Sequence, residues 1–322
     1  MNIAKFKTQL SEYATKGQPF VFVIDFERRK PFLCKQENAA QQGVYYNIRG
    51  NSNIQHKEIK SKVELKSTPV EKHIFTKKIA RVKSHLDNGN TYLLNLTFPS
   101  EIKINLALED IFHVAKAPYK LLFKNEFVVF SPECFIKTDN NEVFTYPMKG
   151  TIDASIQNAQ NILMENKKEE WEHNTIVDLM RNDLSMIAEK ITVQKYRYVE
   201  KIKTHKNEIL QTSSEIKGTL PANWRENLGE SITKLLPAGS ISGAPKQKTV
   251  DIIKKNEIAP RGYYTGIFGI FDGTNIDSAV AIRFIENQNE KVYFRSGGGI
   301  TSKSIADEEY NELIQKIYVP SV

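Results

Sequence analysis

Lys149 stands in the run Pro147-Met148-Lys149-Gly150-Thr151, where proline fixes φ and glycine permits positive φ, so a stiff turn aims the lysine. A lysine amine is a nucleophile only when deprotonated, and burial disfavours its charged form. Taken alone, such a lysine reads as a solvated charge at a loop tip. Two pairs of carboxylates accompany it. Glu169 and Glu172 precede the run Ile176-Val177-Asp178-Leu179-Met180-Arg181-Asn182-Asp183, and Glu309 and Glu312 repeat their spacing with Lys316 one turn later. A separation of three places each pair on one helix face. Separately, they read as surface charge, with Glu312 and Lys316 an i,i+4 ion pair. If the two helices face each other, four hard oxygen donors converge and describe a Mg²⁺ site with positions left for water and a substrate carboxylate.

Glycine-rich runs form the second theme. Pro237-Ala238-Gly239-Ser240-Ile241-Ser242-Gly243-Ala244-Pro245-Lys246 leads into a helix expected over 247–255, and Ser296-Gly297-Gly298-Gly299-Ile300 precedes the last helix. Backbone amides at such turns bind anions. The P-loop spacing is absent, so a carboxylate is a better guest than a nucleotide phosphate. Arg283, in Ala279-Val280-Ala281-Ile282-Arg283-Phe284, stands among apolar residues, where it needs an anion or a protein carboxylate as partner.

The elements that must position these groups can be read from periodicity. Strand-like runs at 20–26 and 44–48 are followed by a helix over 75–86 that stops at Asp87-Asn88-Gly89. Strands are expected over 91–97, 126–130 and 135–137, and another over 142–146 leads into the lysine turn after Asp139-Asn140-Asn141. A long helical region over 155–187, strands over 263–271, 275–286 and 291–295, and a helix over 304–317 complete the pattern. Strands cluster in hairpins with helices between the groups, which predicts an α+β fold.

Composition bounds the class. With 322 residues, 40% hydrophobic and 26% charged, the chain can bury a sizeable core. No apolar run approaches the roughly 20 residues of a membrane span, and the first residues lack an apolar leader, so a cytoplasmic protein with no membrane partner is expected. Cys34 and Cys134 are too few for a disulfide framework and form no CxxC. The net charge of +7 is dispersed apart from short runs at Lys77-Lys78 and 201–206, without a nucleic-acid motif, and serves rather to attract a small anion.

Eight motifs occur in order: Ser131-Pro132-Glu133, the lysine turn, 176–183, 239–246, Arg261-Gly262-Tyr263-Tyr264-Thr265-Gly266, Ala281-Ile282-Arg283, 297–300 and Glu309-Tyr310-Asn311-Glu312. Together they resemble the chorismate-binding enzymes, which include anthranilate, aminodeoxychorismate, isochorismate and salicylate synthases. The resemblance implies an anthranilate synthase component I-like fold, two facing antiparallel sheets wrapped by helices, with Mg²⁺-dependent chemistry on chorismate. It spans the chain from about Phe75, which suggests a catalytic domain over 75–320 and an N-terminal β-rich segment over 1–74 packed on it.

Within that family, water-using members carry a lysine where this chain has Leu93, and anthranilate synthases carry a small residue where Lys149 stands. Lysine in the turn resembles aminodeoxychorismate synthase component I, in which it is thought to attack C2 of the ring, displace the C4 hydroxyl and open C4 to ammonia. The resemblance further implies Glu133 as general acid/base and Glu169, Glu172, Glu309 and Glu312 around Mg²⁺. It implies Thr151, Gln211, Ser242, Gly243, Tyr264, Arg283, Gly297, Gly298, Gly299 and Lys316 around the substrate. Gln211 replaces a histidine of the family; it can donate a hydrogen bond but not carry a proton, which favours retention of the enolpyruvyl group. Neither cysteine lies in a nucleophile elbow, so ammonia is expected from a separate glutamine amidotransferase subunit. The expected activity is formation of 4-amino-4-deoxychorismate for 4-aminobenzoate and folate biosynthesis. Anthranilate synthase component I and a non-catalytic chorismate-binding subunit are the alternatives.

Overall fold

A computed structural model describes residues 1–203 and 208–320. These fold around two antiparallel sheets of nine strands each. The first runs in the order β11 (Met148–Asp153), β13 (Glu208–Thr219), β10 (Glu142–Thr145), β9 (Cys134–Asp139), β16 (Ile276–Val280), β15 (Ile267–Phe271), β1 (Phe20–Ile24) and β2 (Phe32–Lys35), with β12 (Glu189–Lys203) also paired to β13. The second runs β14 (Gly243–Ala244), β6 (Leu93–Ile104), β18 (Lys291–Ile300), β17 (Phe284–Gln288), β8 (Phe127–Ser131), β7 (Tyr119–Phe123), β3 (Val44–Ile48) and β4 (Asn51–Ser52), with β5 (Leu65–Thr68) on β6. The helices are α1 (Ile3–Thr15), α2 (Lys72–Asp87), α3 (Leu108–Val114), α4 (Ala159–Glu165), α5 (Lys167–Ser185), α6 (Leu228–Leu235), α7 (Gly239–Ser242), α8 (Lys246–Asn256) and α9 (Ala306–Gln315).

β1 shows why the sheets sit where they do. All five of its residues, Phe20-Val21-Phe22-Val23-Ile24, are buried, because both faces of the strand are covered. Val21 and Val23 join a core with Val44, Tyr46, Leu121, Phe123 and Phe127 of the opposite sheet. Phe20, Phe22 and Ile24 face the other way, into the core shared with α1, α2, α5, α6 and α8. A strand with period two thus glues the sheet to the second sheet on one side and to helices on the other.

Local chemistry explains the joints. Asn140 and Asn141, with φ of 47° and 65°, make the tight β9–β10 turn expected of that pair. Pro99 is tolerated in β6 because β14 pairs residues 93–94 and β5 pairs residues 101–104, leaving one edge of the strand without a partner strand at the proline.

Several sequence expectations change. The 1–74 segment opens with a helix, α1, in which Phe6, Leu10 and Ala14 recur at helical spacing and Asn2 caps the amide of Lys5 at 2.9 Å. The strands after it are integral members of both sheets, β1 beside β15 and β3 beside β7. The helical region over 155–187 is two helices, because Asn166 ends α4 and its side chain caps α5 through the amides of Lys168 and Glu169. The expected strand over 275–286 is two strands in different sheets, β16 and β17. The basic run over 201–206 lies partly outside the described residues. Among the described residues no helix is long and apolar enough to cross a membrane.

Candidate active site

Two crossings between the sheets set the centre of the site. The chain passes from β8 to β9 through Pro132 and Glu133, and from β16 to β17 through Ala281, Ile282 and Arg283. The crossings are bonded to each other: the Val280 amide donates to the Glu133 carbonyl and the Phe130 amide to the Arg283 carbonyl, each at 3.1 Å. Glu133 and Arg283 therefore stand side by side. Arg283 lies in a left-handed turn, φ 54°, not in the strand interior the sequence suggested. Its guanidinium lies over the Tyr318 ring at 5.3 Å and has no carboxylate within ion-pair distance among the described residues. An arginine so placed is ready for a ligand anion.

Burial pushes the Glu133 carboxyl above its ordinary range, while a hydrogen bond from Ser240 and the nearby charges of Lys149 and Arg283 work against that rise. A carboxyl balanced in this way suits proton transfer. Tyr264 is buried beside Arg261 and Arg283, and burial pushes its phenol up to about 12, so it stays a hydrogen-bonding hydroxyl.

Lys149 and Gly150 lie within β11 rather than in the turn the sequence suggested: the pairing of β11 with β13 shifts register between Met148 and Thr151, and Gly150, at φ +83°, supplies the positive φ of that bulge. Lys149 Nζ lies 3.9 Å from Glu172 Oε2 on α5. Across the site runs the glycine-rich half of β18. A β-carbon placed on Gly299 would sit 3.4 Å from Lys149 Nζ and 3.2 Å from Leu93 Cδ1, so the lysine and the apolar Leu93 flank one open strip of backbone. β17 covers β18 only through residues 291–295 while β6 pairs residues 292–300, so beyond residue 295 one edge of β18 has no strand beside it. Unpaired amides along such an edge are donors for a carboxylate. Gly297 serves packing instead: a side chain there would strike the Leu96 carbonyl, at 2.3 Å from the β-carbon.

The carboxylates of α5 and α9 act on one another through charge, Glu312 on Glu169 and Glu172 on Glu309. Glu169 and Glu309 are both pushed up, first by burial and then by like charges, Glu172 beside the former and Glu312 beside the latter. Burial also acts on Glu312, but Lys316, at 2.5 Å, holds it below the ordinary range. A β-carbon on Gly298 would lie 3.5 Å from both Glu309 Oε2 and Glu312 Oε1, so the backbone of β18 passes at contact distance from this pair. The donor set, oxygen ligands under mutual repulsion, fits a hard divalent cation. No three such side chains among the described residues are already gathered at metal-holding spacing. Lys316 also donates to the Gly297 carbonyl at 2.9 Å, which ties α9 to β18.

The remaining expected residues are more peripheral. Thr151 is exposed on β11, opposite Gln211 of β13. Ser242 is fully buried, and its hydroxyl donates to the Ala238 carbonyl at 2.8 Å. Gly243, φ 130°, allows β14 to press on β6, where a β-carbon would lie 1.9 Å from the Leu93 carbonyl. Two motifs hold the frame. Asp183 pairs with Lys246 at 2.8 Å, and Arg261 donates to both Glu257 oxygens and to the carbonyls of Ile241 and Asn95.

Sequence reading passed over Ser240, whose hydroxyl bonds Glu133, and His173, which is fully buried and bonded to Ser214 at 2.6 Å. Helical spacing alone could have placed Ser240 on the opposite side of its short helix from Ser242. The two cysteines are buried thiols pushed up by burial, Cys34 to about 11 and Cys134 to about 12, which makes them poor nucleophiles.

Comparison with known proteins places this geometry. Residues 7–321 match the family described as chorismate binding enzyme. An "Uncharacterized PabA-like protein" of Haemophilus influenzae is 54% identical over 315 residues, 98% of this chain and 96% of that one. "Aminodeoxychorismate synthase component 1" of Bacillus subtilis is 27% identical over 260 residues, 76% of this chain and 54% of that one. The crystal structure of anthranilate synthase component I from Streptococcus pneumoniae superposes with a TM-score of 0.68 at 27% identity, covering 80% of this chain and 59% of that one. The two facing sheets, the crossings that bring Glu133 beside Arg283 and the match over nearly the whole length lead to one conclusion: the chain belongs to the chorismate binding enzyme family.

Proposed function

We propose that this chorismate-using enzyme is an aminodeoxychorismate synthase component I, forming 4-amino-4-deoxychorismate from chorismate and ammonia. Similarity does not choose between this activity and anthranilate synthesis, since a named relative of each kind is 27% identical. One observation does favour it: the amine of Lys149 faces the open glycine strip at Gly299 while the neighbouring position, Leu93, is apolar. Lysine is thus the nucleophile at hand, and no side-chain base lies at Leu93 to activate water.

In the proposed reaction the Lys149 amine, once it has given up its proton, forms a bond to ring C2 while the ring double bond shifts and the C4–O bond breaks. Glu133 delivers the proton with which the C4 hydroxyl leaves as water. Ammonia then bonds to C4, the double bond shifts back, and the C2–N bond breaks to release Lys149. Arg283, Tyr264, Lys316 and the amides of Gly298 and Gly299 would hold the enolpyruvyl carboxylate, with Gln211 and Thr151 at the outer wall. Glu169, Glu172, Glu309 and Glu312 would hold Mg²⁺, which supplies charge neutralisation for the ring carboxylate. A separate glutamine amidotransferase subunit would supply ammonia, and the product would feed 4-aminobenzoate and folate synthesis.

Mass spectrometry of the products from chorismate, ammonium and Mg²⁺ tests the reading. 4-Amino-4-deoxychorismate with the enolpyruvyl group retained is expected. Anthranilate with pyruvate would select the other synthase, and unchanged chorismate would select a binding subunit.

A further inference from the structure

The α7 turn is held on three sides. Asp183, itself paired with Lys246, accepts a bond from the Gly239 amide. Arg261 Nη1 donates to the Ile241 carbonyl at 2.8 Å, and Ser242 Oγ donates to the Ala238 carbonyl. Each of these contacts involves a neighbour of Ser240, and none involves its hydroxyl. Two residues on a helix are separated by about 200°. With Ser242 turned back into its own helix, Ser240 points the opposite way and donates to Glu133 Oε1.

We propose that Ser240 is a positioning residue for Glu133: its hydroxyl occupies Oε1, so that Oε2 is the atom that carries and delivers the proton. This rests on the reading of Glu133 as the acid of the site. Without the bond, the carboxyl can rotate about its last torsion and present either oxygen. The groups facing Glu133 are Lys149 from β11, Arg283 from the neighbouring crossing and the Cys134 thiol, in addition to Ser240 from α7. Lys149 and Arg283 act through charge, whereas among the described residues Ser240 alone makes a directed hydrogen bond to the carboxylate. The Ser240 donor also favours the ionised carboxyl, so its loss raises the pH at which Glu133 gives up its proton.

The test compares Ser240→Ala and Ser240→Thr by two measurements. Loss of chorismate, read whatever the product, should fall about 10- to 100-fold in kcat for Ser240→Ala with KM within about threefold, the scale of a displaced general acid. The alkaline limb of its pH profile should move up, and Ser240→Thr should restore both. Separately, ¹³C NMR of protein labelled at the glutamate carboxyls, with Glu133→Gln assigning the signal, should show the Glu133 titration moving up in Ser240→Ala. The spectrum requires no turnover, so it judges the Ser240 contact even if the product is not the one proposed. An unshifted Glu133 titration, an unchanged profile, or a threonine variant no better than alanine overturns the proposal.

Discussion

The same kinds of charged residue occur in two parts of the molecule with opposite consequences. At the joint of α8 with β6, Arg261 and Glu257 are 1% and 5% exposed, 2.7 Å apart, and surrounded by further bonds to Thr97, Thr265 and backbone carbonyls. In the site, Lys149 and Glu172 are 23% and 14% exposed, stand 3.9 Å apart, and share their space with carboxylates that repel one another. Closed ion pairs hold elements together, because each charge has found its partner within the protein. An open cluster in which carboxylates outnumber their cationic partners costs stability and persists where a ligand completes it.

The comparison can be broken most sharply at Lys149. Lys149→Ala should lower formation of 4-amino-4-deoxychorismate by several orders of magnitude, about 5 kcal/mol or more in the barrier, without lowering the melting temperature. Near-normal turnover by that variant, followed by chromatography of the product, would reduce the lysine to a positioning charge. Glu257→Gln should do the reverse. Leaving Arg261 buried beside a neutral amide should cost about 3 to 5 kcal/mol in urea unfolding, and a loss under 1 kcal/mol would show the pair to be dispensable.

Within the open cluster, Glu172→Gln or Glu312→Gln should reduce activity about 100-fold, near 3 kcal/mol, and raise the Mg²⁺ concentration needed for half-activation, with stability unchanged or improved for Glu172→Gln. A Mg²⁺ requirement identical to that of the native chain in both variants returns these helices to ordinary surface charge. The smallest effect concerns His173, one residue beyond Glu172 yet belonging to the closed kind. Burial, with help from Arg197, lowers its pKa to about 4 from the ordinary 6.5. The unfolded chain therefore takes up a proton that the folded chain refuses, and stability contributed above pH 6.5 is lost as pH falls from 6.5 towards 4. The slope is at most about 1.4 kcal/mol per pH unit. His173→Gln should flatten that part of the stability profile, and an equally steep profile in the variant would assign the slope to other groups.

Much of this was legible in the chain because it is local. The alternation in 142–145, the Asn140-Asn141 turn and the stop at Asn88-Gly89 are written in residues a few positions apart, and the structure places those elements within a residue or a few of expectation. The i,i+3 spacing of Glu169 with Glu172 and of Glu309 with Glu312 likewise depends only on helix geometry. By contrast, α1 was overlooked because its helical stripe is thin, and the hairpin of β12 and β13 because polar residues alternate along it with few buried ones.

What the sequence by itself determined, then, is the inventory: a lysine beside a glycine that needs positive φ, two carboxylate pairs, glycine strips, and motif order enough to indicate the family. Only the tertiary structure decided that the carboxylates of α5 and α9 act on one another, that Glu133 and Arg283 stand where two crossings between sheets are bonded together, and that Ser240 rather than Ser242 reaches the acid. The reason is physical. Periodicity reports which face of an element is apolar and can suggest an i,i+4 ion pair, but the contact that orients the acid joins residues more than 100 positions apart, Glu133 with Ser240. No local pattern encodes that distance.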